Sequence, residues 1–168
     1  GWLDQAGDDT QQGRFPATAR ADNADELTLG DIEREIVDRD HFSAAPDYVD
    51  SWPAHCVVGT EGASFHPALE TSRVEAVFHK GEHAAAYSGF EGHSQDGDSL
   101  ADWLRLRHVT RVDVCGIATD HCVRATALDA ASNGFTTRVL LELCTGVAPD
   151  STERALAEMR QAGISLVG

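Results

Sequence analysis

The stretch VDVCGIATDHCVRATALDAASNGFTTRVL, residues 112–140, decides the fold. Val112 to Ile117 is a short apolar run of the kind that forms a buried strand. Thr119 and Asp120 follow as capping groups, Cys122 to Ser132 reads as a helix, and Asn133-Gly134 ends it. Thr137 to Leu141 is then a second strand. Towards the C-terminus, Asp150 to Gln161 reads as a helix closed by Gly163, and Ile164 to Val167 as a last strand. Strand, helix, strand, helix, strand is the pattern of a parallel sheet with covering helices, so the fold class is α/β. Upstream, Val74 to Phe78 alternates apolar and polar residues and reads as a strand. DSLADWLRLR (98–107) reads as an amphipathic helix. His41 to Pro67 is rich in aromatic residues, His, Pro and Gly without periodicity. It reads as a long structured loop, and loops of that length in a compact domain are usually functional.

In open α/β sheets ligands bind beyond the carboxyl ends of the strands, where the next helix starts. Cys122 stands there, one turn after the strand 112–117. A helix N-terminus favours a thiolate, and its N–H groups can hold the oxyanion formed when sulfur attacks a carbonyl. The spacing reads equally as a nucleophile and as an inert cysteine buried at a helix start. Cys115 falls inside the strand and reads as core, whereas Cys144 follows a strand with nothing to activate it. Cys56 and His55 are adjacent in sequence, so their side chains diverge. Lys80, the single lysine of the chain, ends the strand 74–78 region before Gly81 and would share the rim with Cys122. There it could hold a thiolate by charge, or be an ordinary solvated lysine. Of eight histidines, His41 and His55 share the irregular loop with Trp52 and have the chemistry of metal ligands. Trp52 and Tyr87 could stack on an aromatic ligand or simply pack.

The whole chain of 168 residues suits one domain, with 42% hydrophobic and 24% charged residues. A net charge of −15 argues against nucleic acid and against an anionic membrane surface. It leaves room for a small uncharged or anionic substrate. No apolar run approaches the roughly 18 residues of a membrane-spanning helix. Four cysteines without a CxxC pair or a signal pattern suggest a reducing compartment, with the cytoplasm as the default. Residues 1–40 hold eleven acidic and four basic side chains, a net of −7, and lack a strand-like apolar run. Residues 1–25 are therefore expected to be poorly ordered, and residues 26–38 to form a short acidic helix.

The segments DHFSAAPDYVDSWPAHCVVGTEGASFHP (40–67), FHKGEHAAAYSGFEG (78–92) and GIATDHCVRATALDAASNGFTTRVL (116–140) resemble the nicotinamidase/pyrazinamidase family of isochorismatase-like cysteine hydrolases. The resemblance runs collinearly over residues 40–168, which divides the chain into an acidic segment 1–39 and a hydrolase domain 40–168. It implies a three-layer α/β/α fold with a mainly parallel sheet. It also implies hydrolysis of nicotinamide, and of pyrazinamide, to the acid and ammonia through a Cys122 thioester, a step of NAD salvage. Lys80 matches the family's catalytic lysine, and the Ala118 amide, after a cis peptide bond, joins that of Cys122 as oxyanion hole. Trp52, Tyr87 and Ile117 match pocket residues. His41 and His55 match two ligands of a divalent metal (zinc, iron or manganese) that holds the pyridine nitrogen.

The family's opening strand, with the Asp that serves as base, and its Asp-x-His metal pair have no match in residues 1–39. At the places of that pair stand Glu33 and Glu35, which carry no assigned role. The chain begins with Gly, and the N-terminal third of the family fold is expected to be lost or replaced, with an edge of the sheet exposed and stability reduced. Two alternatives stand beside the enzyme: an inactive member acting at most as a binding module, and a cysteine hydrolase of another small amide.

Overall fold

The computed structural model describes residues 18–20, 29–33, 44–47, 51–57, 59–81 and 86–168, the first two segments as backbone only. Six strands form one sheet: β1 (Thr18–Arg20), β2 (Leu29–Glu33), β3 (Ala76–Lys80), β4 (Arg111–Ile117), β5 (Thr136–Thr145) and β6 (Ser165–Val167). Their order is β3-β2-β1-β4-β5-β6. Three helices accompany them: α1 (Leu100–Leu106), α2 (Arg124–Ser132) and α3 (Pro149–Gln161). The pairs β2–β3, β4–β5 and β5–β6 are parallel, while β1 is antiparallel to both β2 and β4. Two reversals restore direction, so β3 and β4 run the same way and end on the same rim. This mainly parallel sheet with its helices agrees with the α/β expectation.

Sequence alternation explains the core. Val112 and Val114 on β4 and Val139 on β5 meet Val123, Ala127 and Ala130, whose spacing sets them on one side of α2. The alanines leave no exposed surface, so α2 lies close on the sheet. Met159 of α3, Phe78 of β3 and Trp103 and Leu104 of α1 complete the cluster. Ser99 caps α1 by accepting from the Asp102 amide, and Gly134, at φ +90°, ends the turn after α2. The outer edge of β3 is met by His93, whose N–H and C=O pair with those of His79 at 3.0 and 2.8 Å. At the other edge β6 has only three residues, a short edge being a common guard against further pairing. No helix among the described residues is long and apolar enough to cross a membrane.

Two expectations for the N-terminal segment change. Leu29–Glu33 lies in the region expected to be helical, yet it is a strand in register with β3, from Leu29 beside Ala76 to Glu33 beside Lys80. Five consecutive pairings satisfy its backbone better than its polar sequence suggests, a case of tertiary context overriding local propensity. Thr18–Arg20, within the segment expected to lack order, pairs with both β2 and β4. The sheet positions between β3 and β4 are thus filled by strands from the N-terminal part of the chain. Residues 1–17, 21–28 and 34–43 lie outside the described residues.

One polar pair is built into the sheet. Asp113 on β4 faces Arg138 on β5; Arg138 Nε donates to Asp113 Oδ1 at 2.7 Å and Nη2 to Oδ2. Asp113 is 2% exposed. Removing Asp113 strips its carboxylate from an Arg138 guanidinium that is 29% exposed and so partly solvated, and Asp113→Ala is expected to lower unfolding free energy by about 1.5–3 kcal/mol, the range for a hydrogen bond to a charged group. Urea denaturation measures it, and a loss no larger than that of a surface substitution would contradict the reading.

Candidate active site

β4 ends at Ile117, the Ile117–Ala118 peptide is cis, and Thr119–Val123 forms a single wide turn before α2. In that turn the Ala118 carbonyl accepts from the N–H groups of both His121 and Val123, each at 3.1 Å. Wide turns of this kind recur at functional sites. The helix therefore starts at Arg124 rather than at Cys122, and Cys122 sits half-buried inside the turn itself. The expectation that Thr119 and Asp120 cap this helix also changes. Asp120 directs its carboxylate away, to the Val147 and Ala148 amides and the Ser151 hydroxyl.

Lys80 ends β3 on the same rim. It is 2% exposed, and its Nζ lies 3.5 Å from Cys122 Sγ and 3.4 Å from the Ala86 carbonyl oxygen. A buried ammonium needs compensation, and these contacts give it a thiol and a carbonyl. An ammonium at that distance favours the thiolate over the thiol. The solvated-lysine alternative is thereby set aside by burial.

An aromatic wall forms around His121, the residue before Cys122. Trp52 Nε1 donates to the Tyr87 hydroxyl at 3.1 Å. His121, next to Cys122 in the chain, meets Trp52 edge-on at 5.1 Å between centroids and Tyr87 at 5.5 Å. Tyr87 is held in turn by Glu91, whose Oε2 accepts from the Tyr87 and Ser88 amides at 3.0 and 2.8 Å. The Gly89 amide donates to Thr126 Oγ1 at 2.9 Å, which fastens this loop to α2. Gly92 suits the close approach here, because a Cβ would stand 3.1 Å from the Gly89 oxygen and 3.2 Å from that of His79, and these would have to shift by a few tenths of an ångström. Sequence reading singled out Trp52 and Tyr87 but not His121; its position beside a candidate nucleophile was the available signal. Ile117 and Ala118 lie at the end of β4, half-buried and buried.

The other cysteines stay apart from this chemistry. Cys115 is buried in β4, as expected. Burial, opposed by a hydrogen bond from Gly116 and aided by Cys115, pushes the Cys144 thiol up to about 11. Its Sγ lies 3.1 Å from the Leu140 carbonyl oxygen. His55 turns Nδ1 to the Pro53 carbonyl oxygen at 2.8 Å rather than to Cys56. A histidine that donates one ring N–H to a carbonyl keeps its Nε2 lone pair for a metal, so His55 fits the ligand role. His41 lies outside the described residues, among which no group of three His, Cys, Asp or Glu could hold a metal ion.

The isochorismatase domain family matches residues 17–168. A nicotinamidase/pyrazinamidase of Mycobacterium tuberculosis is 61% identical over 128 residues, which cover 76% of this chain and 69% of that protein. A Pyrococcus horikoshii pyrazinamidase in complex with zinc superposes with a TM-score of 0.69 at 38% identity, over 83% of this chain and 73% of that one. An L. infantum protein in complex with nicotinate gives a TM-score of 0.69 at 34% identity, over 83% of this chain and 70% of that one.

Proposed function

We propose, because this chain belongs to the isochorismatase domain family, that it is an amidohydrolase converting nicotinamide, and similar aromatic carboxamides such as pyrazinamide, to the acid and ammonia. The observation that carries this reading is the Lys80–Cys122 contact, with the aromatic wall of Trp52, Tyr87 and His121 built on the residue before that cysteine. A flat aromatic ring fits such a wall, which favours an aromatic amide over an aliphatic one. The relatives named nicotinamidase or pyrazinamidase, and the one holding nicotinate, support the same substrate class.

In the proposed reaction the Cys122 thiolate bonds to the carboxamide carbon, and the Ala118 and Cys122 N–H groups take the oxyanion. The carbon–nitrogen bond then breaks, and nitrogen takes a proton from solvent and leaves as ammonia. Water cleaves the resulting thioester, releasing the carboxylate and returning the thiolate, and its two protons pass to solvent. Lys80 holds the sulfur as thiolate in the resting state and again as it leaves. Ile117, Trp52 and Tyr87 bound the ring. His55, with His41, would hold a divalent metal, zinc, iron or manganese, in keeping with the zinc of the archaeal relative. When bound, that ion supplies a Lewis-acidic contact for the pyridine nitrogen. Nicotinate produced in this way suits NAD salvage, and a small aromatic amide is the partner proposed. The division into residues 1–39 and a hydrolase domain 40–168 remains part of the proposal.

The test is release of ammonia and nicotinate from nicotinamide by purified protein supplied with zinc, manganese or ferrous iron. Stoichiometric products are expected, with turnover falling at least about tenfold on chelation and returning with metal. Folded, metal-supplied protein that releases neither product would sink the proposed activity and favour an inactive binding module.

A further inference from the structure

Asp120 is a charged residue that the reaction above leaves without a task, yet it is one of the buried polar groups among the described residues, at 4% exposure. It lies two residues before the nucleophile, inside the wide turn Thr119–Val123. Apart from its own backbone N–H, its described partners lie at or just before the start of α3. Oδ1 accepts from the Val147 amide at 2.9 Å, and Oδ2 from the Ala148 amide at 3.3 Å and from the Ser151 hydroxyl. Burial raises the cost of its charge, but the hydrogen bonds from Ser151, Val147 and Ala148 outweigh that, and its carboxyl is held below the usual carboxylate range. Meanwhile α3 has no cap of its own, because its N-cap residue is Ala148. The turn also lacks a side-chain cap at Ala118. One carboxylate therefore joins two elements that each lack a local fastening.

We infer that Asp120 is a positioning residue for the nucleophile: it fastens the Thr119–Val123 turn to the N-terminus of α3 and so fixes the separation of Cys122 Sγ from Lys80 Nζ. The turn is gripped from two sides. Lys80 meets its sulfur from β3, and Asp120 ties its back to α3. The turn closes on the Ala118 carbonyl, which accepts from His121 and Val123, and on the Arg124 N–H, which reaches the His121 and Thr119 carbonyls; these bonds shape the turn but do not tie it to a neighbour, so releasing the back lets the sulfur drift from the ammonium. The two ties differ in sign. Deleting a carboxylate two residues from a thiol favours the thiolate, if it acts at all, by charge alone, whereas loosening the thiol from Lys80 disfavours it. The direction of the change in thiol titration therefore separates positioning from charge.

The inference rests on Cys122 being the nucleophile proposed above, and its test does not need turnover. The pH dependence of iodoacetamide labelling of Cys122, resolved by peptide mass, is measured for the unaltered protein, Asp120→Ala and Asp120→Ala/Ala148→Ser. Ala148 is exposed with extended φ and ψ, so a serine there gives α3 a local cap without re-tying the turn. Asp120→Ala is expected to move the labelling midpoint up by about half to one pH unit. With nicotinamide, kcat is expected to fall on the order of tenfold to a hundredfold with KM changed less than about threefold. Ala148→Ser is expected to recover the thermal midpoint but neither of the other two quantities. A labelling midpoint that stays or falls would overturn the inference, and so would recovery of labelling together with stability in the double variant. Asp120→Asn, which keeps one acceptor oxygen, gives the same reading at smaller amplitude if the alanine variant fails to fold. Unaltered protein that labels normally but leaves nicotinamide intact would refute the substrate, while the labelling shift still decides the role of Asp120.

Discussion

Cys122→Ala is expected to abolish nicotinamide hydrolysis, a loss on the order of 10⁴-fold or more in kcat, while the protein stays folded. No other thiol can stand in. Cys115 is enclosed in β4, and Cys144 is held as a thiol with its pKa near 11, its Sγ against the Leu140 carbonyl oxygen. Cys56 lies in the 51–57 loop segment, with its neighbour His55 turned to Pro53. The fold should tolerate the change because Cys122 is half-buried and its sulfur contacts the rim, not the α2–sheet core. Ammonia release under single-turnover conditions, with near-ultraviolet circular dichroism as the control for folding, makes the comparison. Cys122→Ser should be nearly as inactive, since one ammonium ionises a thiol near neutrality but not a hydroxyl. Substantial residual turnover in the alanine variant would move the nucleophile elsewhere.

Lys80→Met is the second large effect, and it separates activity from stability. Removing the ammonium 3.5 Å from the sulfur returns Cys122 towards the thiol, so kcat/KM is expected to fall about 10²–10³-fold. The sign of the pH dependence follows. A neighbouring cation lowers the pH at which a thiol ionises, so its loss moves the acid limb of the rate profile to higher pH, and part of the activity returns in alkali. Stability should move little or rise, because methionine fills the space of the lysine stem without a charge to compensate at 2% exposure. Rate profiles and thermal midpoints measured side by side decide it. An unshifted acid limb would remove Lys80 from the ionisation of Cys122.

The legible part of this protein was its regular part. The run 112–140 declared strand, helix and strand because its apolar pattern and the Asn133-Gly134 stop agree, although the wide turn before Arg124 and the caps expected at Thr119 and Asp120 escaped it. Lys80 and Cys122, 42 residues apart, could be brought together from the rule that parallel strands end on one rim. Three features were hidden for physical reasons. The strand Leu29–Glu33 has a polar sequence whose pairing depends on β3, far along the chain. Asp120 looks like a cap for the helix that follows it, but its partners begin 27 residues later, and capping rules see only local neighbours. Asp113 reads as a flaw in an apolar strand until Arg138, 25 residues on, is placed opposite it. In each case the sequence names the residue and the tertiary structure names its partner.

The wall of Trp52, Tyr87 and His121 has an optical consequence. Of three tryptophans, Trp103 is enclosed between Phe78 and the Arg107 guanidinium, 3.6 Å above its ring, and Trp2 lies outside the described residues. Trp52 alone among the described tryptophans is bonded to Tyr87 and edges the imidazole of His121. Whatever ring enters the pocket changes the surroundings of that indole, and Trp103 supplies a steady background. The unlabelled protein thus carries its own gauge of occupancy, readable as tryptophan emission whether or not a bound amide is ever cleaved.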